Sequence, residues 1–154
     1  MPPTIRPATS DDVERIAITL AQAFNDDPVK LHLLGGRSLP PERVTPFFTV
    51  FQTIQLPHGH VYTTEGFEAA AIWAPPDVEM LPEADLPEFI GPFVAALGPE
   101  ALDRLAALGA MVADRHPHDG PHAYLFILGV AAPGGGRGGA ILAPVLERCD
   151  ADGC

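Results

Sequence analysis

The chain has 154 residues, 47% of them hydrophobic, which suits a single domain with a real core. Its 20 Asp plus Glu against 9 Lys plus Arg leave a formal net charge of −11, arguing against nucleic-acid partners or an anionic membrane, both drawn by cationic patches. The acidity is compatible with a cationic partner such as an amine, although it is also the commonest route to solubility.

The first residues show no basic segment followed by an apolar run, so no secretory signal is read. The longest apolar runs, around 69–76 and 123–133, are too short to span a bilayer. Cys149 and Cys154 make no disulfide framework, and a cytoplasmic location is the default expectation. Residues 4–7 read as a short first strand. Thr9 or Ser10 can cap a helix, with Asp11 and Asp12 favourable at its positive end. Val13, Ile16, Leu20 and Phe24 give that helix one apolar stripe, which residues 25–28 (NDDP) bring to an end. Residues 29–34 add a turn or two. Pro40, Pro41 and Glu42 open another helix with Val44, Phe47, Phe48 and Phe51 on one side; Pro46 is tolerable near its start. Residues 61–64 and 69–73 read as two strands of a hairpin. An acidic, proline-rich connection follows, then two helices: Ile90, Phe93, Val94 and Leu97 form one stripe, Leu102, Leu105, Leu108 and Val112 the other.

The stretch from 122 onward organises the chain. Residues 124–130 (YLFILGV) are an uncharged run expected of a strand buried on both faces. Residues 131–140 (AAPGGGRGGA) hold five glycines and one arginine; after them Leu142, Val145, Leu146 and Cys149 recur at helical spacing. Strand, glycine loop and helix together let backbone N–H groups converge on an anion at a helix N-terminus. The P-loop pattern fails, because no Lys-Ser or Lys-Thr follows the glycines. A dinucleotide pattern can be placed on Gly134, Gly136 and Gly139, but it lacks the later strand carrying an acidic residue.

This stretch resembles the acyl-CoA loop of the GNAT acetyltransferase superfamily, V-x-P-x-x-[QR]-x-x-G-x-[GA]. Val130 takes the valine position, Gly136, Arg137 and Gly138 match the usual Gly-Arg-Gly, and Ala140 takes the final small residue. The likeness continues through residues 142–148 (LAPVLER) and back to residues 5–8 (IRPA) with Asp11 and Asp12. There are departures: Ala132 stands where proline is usual, Pro133 comes one residue late, and Gly135 replaces the glutamine or arginine, leaving the loop register open.

The resemblance implies an α+β, GNAT-like fold with a mixed sheet flanked by helices. It implies one domain over residues 1–154, C-terminally incomplete, since the family ordinarily continues with a fifth strand, a helix and a final strand pair. It implies transfer of an acetyl group from acetyl-CoA, as cosubstrate and without a metal, to a small or protein amine. Leu128, Gly129 and Val130 would lie along the pantetheine arm. Gly135, Gly136, Arg137, Gly138, Gly139 and Ala140 would hold the pyrophosphate. A backbone N–H of the strand would polarise the thioester oxygen. No general acid or base is assigned; Glu65 and Glu68 are candidates for a base, or are only solvated. The alternatives are a non-catalytic domain that binds CoA weakly or mediates protein association, and, more weakly, a nucleotide-binding module. A free edge on the organising strand makes a homodimer an expectation. His116, His118 and His122 with Asp119, and His58 with His60, could approach a zinc ion, but nothing in the spacing makes them converge, and they read as solvated loop residues. Trp73 and Tyr62 could line an acceptor site or sit in the core; Cys149 reads as a small core residue.

Overall fold

A computed structural model describes residues 3–154. Four strands, β1 (Ile5–Pro7), β2 (Val61–Thr64), β3 (Ala69–Ala74) and β4 (Tyr124–Val130), form a sheet in sequence order. The α+β class holds, but among the described residues the sheet is not mixed: all three pairings are antiparallel. The physical reason is connectivity, since a hairpin joins β2 to β3, while three helices between β1 and β2 and two between β3 and β4 return the chain antiparallel.

The first helix is tied to the sheet by its own cap. Thr9 donates its backbone N–H and its hydroxyl to Asp12 Oδ2 at 2.8 and 2.9 Å, opening a 3-10 turn that runs into α1 (Val13–Ala23). Arg6 on β1 grips both oxygens of the same carboxylate at 2.7 and 2.8 Å. The guanidinium and the Thr9 donors hold Asp12 well below the usual carboxylate range.

After α2 (Pro28–Leu33), α3 (Pro41–Gln55) carries Pro46 within it. That proline has no N–H for the carbonyl of Glu42, and the Thr45 hydroxyl donates to that carbonyl instead at 2.9 Å. α4 (Leu86–Leu97) and α5 (Pro99–Arg115) follow. On one face of the sheet, Ile16 and Leu20 of α1, Phe48 and Phe51 of α3 and Phe89 and Phe93 of α4 close over Ile72 and Ile127. Phe51 sits at the centre of this core, its ring 4.6 Å from Phe126 and 5.6 Å from Phe89 between centroids.

The other face is covered by α6 (Arg137–Asp152), whose Ile141 and Val145 pack on Tyr62, Ala69, Ala71 and Trp73. Tyr62 and Trp73 are therefore core residues of this second layer. Arg148 fastens the far end of α6, donating to Tyr62 Oη at 2.9 Å and to His60 Nε2 at 3.3 Å. His60 in turn donates its Nδ1–H to the His58 carbonyl at 2.7 Å. Burial first, and the Arg148 charge after it, hold His60 below the ordinary imidazole value.

Three stripes depart from the sequence expectation. On α4 the buried residues are Phe89, Phe93 and Leu97, while Ile90 is 39% exposed. On α5 only Ala101 is fully buried; Leu102 and Leu105 pack half-buried against the core, while Leu108 and Val112 face an open groove. β4 is half-buried, with only Ile127 and Gly129 fully enclosed, because it is the edge of the described sheet. Among the described residues no helix is long and apolar enough to cross a membrane.

The contact between α1 and β4 has no slack. A Cβ at Gly129 would stand 2.7 Å from Leu20 Cδ2 and 3.0 Å from Ala23 Cβ. Gly129→Ala should destabilise by about 1–3 kcal/mol, the scale of overpacking, read as a lower urea midpoint with an unchanged slope. A second expectation concerns acid. Folding favours neutral His60, so its contribution is present above the unfolded imidazole value and is lost as pH falls through and below it. His60→Gln should flatten the fall in melting temperature between about pH 7 and pH 5, the range in which an ordinary imidazole titrates.

Candidate functional site

The geometry of the site begins with how β4 pairs. Ala71 lies opposite Leu128 and Ile72 opposite Ile127, but the next residue, Trp73, lies opposite Leu125. Phe126 is the extra residue of a bulge, which reverses the alternation of faces. Phe126 and Ile127 consequently join the same core beneath α1 and α3, whereas Leu125 and Leu128 join the layer beneath α6.

Beyond Val130 the strand hands over to a helix. Ala131 N–H donates to the Glu68 carbonyl at 2.9 Å, and the chain then turns through Gly134, Gly135 and Gly136 with φ of 103°, 68° and 68°. Three successive left-handed residues are accessible at little cost only to glycine. The first bond of α6 runs from Ala140 N–H to the Gly136 carbonyl at 3.0 Å. The N–H groups of Arg137, Gly138 and Gly139 precede it and stand at the positive end of a 16-residue helix. Arg137, Gly138, Gly139 and Ala140 thus form the first turn of the helix, which starts four residues before Ile141, rather than the loop expected from sequence.

Arg137 folds back over this turn. Its Nη1 donates to the Gly134 carbonyl at 2.9 Å and, more weakly, to that of Ala132 at 3.4 Å. Among the described residues its Nε and Nη2 make no hydrogen bond. Glu68 lies close by. The Thr64 hydroxyl donates to its carboxylate at 2.6 Å, and this bond first, with the Arg137 charge a smaller cause, lowers its pKa. A carboxylate stabilised in this way is a weaker base, and Glu65 is exposed in the turn.

Of the residues expected along a pantetheine arm, Leu128 and Val130 face α6 while Gly129 faces α1. Their backbone runs unbroken from the bulge to the glycine turn, along the edge of β4 that has no strand beside it among the described residues.

At the opposite end of β4 lies a groove of about 1000 Å³, bounded by Phe24, Phe47, Leu105, Leu108, Tyr124 and Phe126 and separate from the glycine turn. Sequence reading missed it; the only signal available was the aromatic pair at the start of the strand. Burial raises the Tyr124 phenol above its ordinary pKa. His116 and His122 also line this groove, and they are not separate solvated residues: their Nε2 atoms are 2.8 Å apart. The His118 ring stands further off, 6.4 Å from that of His116. Among the described residues no three His, Cys, Asp or Glu side chains are placed to hold a metal ion. Cys149 is half-buried, its Sγ 3.1 Å from Sγ of Cys154.

A bulged edge strand running into a glycine turn and a helix start, with helices on both faces of an antiparallel sheet, makes an α+β fold. The solved structure of a histone acetyltransferase HPA2 and related acetyltransferase from Corynebacterium glutamicum superposes with a TM-score of 0.62, over 97% of this chain and 72% of that one. The two are 23% identical, a likeness that shows the fold. No family model matches the sequence.

The two classes of glycine should respond oppositely to alanine. Gly136→Ala should lower stability by about 1–2 kcal/mol, the cost of a left-handed non-glycine residue. Gly139→Ala should be neutral or stabilising, since its Cβ meets nothing within 4 Å and its φ is ordinary. Thermal unfolding of the two variants checks this; the reverse order would place the helix start elsewhere.

Proposed function

We propose that this chain is a GNAT-type N-acetyltransferase that moves an acetyl group from acetyl-CoA to an amine. The carrying observation is the left-handed run of Gly134, Gly135 and Gly136, which delivers β4 onto the N-terminus of α6 beside Arg137. The N–H groups of Arg137, Gly138 and Gly139, the helix dipole and the free Nε and Nη2 of Arg137 would receive the pyrophosphate. Leu128, Gly129 and Val130 offer backbone groups along the free edge for the amide-rich arm. In the transfer, the amine nitrogen bonds to the thioester carbon and the carbon–sulfur bond breaks. A β4 backbone N–H near the bulge would stabilise the transient oxyanion. The amine must be neutral to attack, so its proton passes to solvent or to a base. Residues 1–154 belong to one domain in this reading. The same free edge of β4 would accept a second copy of the chain by strand pairing.

Acetyl-CoA should raise the melting temperature more than NAD or ATP does; at about 100 times its dissociation constant the gain is about 2.7 kcal/mol. Arg137→Ala should weaken acetyl-CoA binding by about 1–3 kcal/mol, the scale of hydrogen bonds to a charged group. The largest shift with NAD would sink the assignment in favour of a nucleotide module. Acetyl-CoA binding with no thiol released for any amine would leave the non-catalytic, CoA-binding alternative.

A further inference from the structure

The groove beside the start of β4 has no part in the cofactor site. We propose that it is an acceptor pocket for a hydrophobic amine, an ammonium carried on a bulky alkyl or aryl body. Its reaction rests on the acetyltransferase reading; its binding does not. The volume of about 1000 Å³ is ample for a small molecule. Two features of the lining select the apolar body. α5 presents Leu108 and Val112 to the space, with Leu105 at the boundary between groove and core, and the aromatic rings of Phe24, Phe47, Tyr124 and Phe126 surround it.

Three further features select a cation. Asp27, whose Oδ1 also accepts the Lys30 backbone N–H at 2.9 Å, Asp77 and Glu79 line the groove, against Lys30 alone of the described lysines and arginines. That lysine is already committed, its Nζ donating to the Asn25 carbonyl at 2.6 Å and to Asn25 Oδ1 at 3.4 Å. Aromatic faces attract an ammonium directly. The histidine pair adds an acceptor. His122 Nδ1 faces the Gly120 carbonyl at 3.0 Å and must donate to it, so in the neutral ring its Nε2 accepts from His116 Nε2–H. His116 Nδ1 is then left with a free lone pair.

The groove also reaches the reacting region. Phe126 and Ile127, which line it, are the bulge residues of the strand on which the acyl group would lie. After loss of its ammonium proton to solvent or to His116 Nδ1, the amine nitrogen bonds to the acetyl carbon. The C–S bond pair leaves on sulfur, which takes up a proton from solvent as CoA thiol, and the nitrogen releases its second proton to give the neutral amide.

Isothermal titration of the full chain with phenethylamine, putrescine and phenethyl alcohol separates the contributions. Phenethylamine should bind about tenfold or more tightly than either of the others, because each of them lacks one of the two matched features. Gly109 lines the groove from an exposed position on α5 where an added Cβ meets nothing within 4 Å. Gly109→Phe should therefore weaken phenethylamine about tenfold or more, without lowering the melting temperature or altering acetyl-CoA affinity. Equal affinities for the three probes, or an unchanged dissociation constant in Gly109→Phe, would overturn the pocket and leave the acetyl-CoA reading standing. Phenethylamine bound in the groove with no acetyl-CoA binding would support the pocket and overturn the transferase reading. A dimer that dissociates in Gly109→Phe, with no amine bound, would assign the groove to a second copy and overturn the proposal.

Discussion

Close approach across small residues is the constraint on which this molecule depends. β3 is buried along its whole length, and four of its six residues are alanine. Ala69 and Ala71 face α6 while Ala70 faces α1, and Gly129 lies opposite Ala70 on the next strand. This patch of missing side-chain volume lets a helix settle on each face. Larger residues would have to be offset by outward movement of both layers, and interiors at this density yield little. Because α1 rests on β4 at Gly129, that position fixes the strand just before the chain leaves it for the glycine turn. The aim of the glycine turn is thus set by packing on the far side of the sheet.

The bulge changes which face the residues of β4 serve. Before Phe126 the odd position, Leu125, faces α6; after Ile127 the even position, Leu128, does. Without the extra residue Phe126 could not reach Phe51 while Leu128 stayed beneath α6, since a single-residue slip exchanges every face. The bulge therefore allows the first half of β4 to line an apolar groove and the second half to present backbone beside the start of α6.

Much of this architecture was legible in sequence, and the failures have physical causes. The apolar spacing of Val13, Ile16 and Leu20, the Thr9 to Asp12 cap and the proline at the start of α3 are local signals, and they placed the helices. The glycines next to Arg137 marked the turn. What depended on pairing was hidden. The bulge exists only relative to β3, so nothing in residues 124–130 announces it. β4 looked doubly buried because its composition is apolar, yet composition cannot show that it lies at an edge. The α5 stripe had the right period, but a period does not say whether the facing space is filled. His116 and His122 are six residues apart in a loop, and their contact required a turn through Gly120 with φ of 108°.

The electrostatics of the turn show why Arg137 occupies the first position of α6. A chain with a net charge of −11 repels a polyanion at long range, so the proposed pyrophosphate would have to be held by groups within a few ångströms. Backbone N–H groups at a helix start act at that distance. They work only if the turn is already formed, and three left-handed glycines are costly to order from the unfolded chain. The Nη1 bonds from Arg137 to the Gly134 and Ala132 carbonyls offset that cost before any anion arrives. They use one of the three guanidinium nitrogens. The remaining Nε and Nη2 donors form a fork suited to two phosphate oxygens. A lysine would supply the charge but could not brace the turn and present a planar fork together, which is a physical reason for arginine at this position.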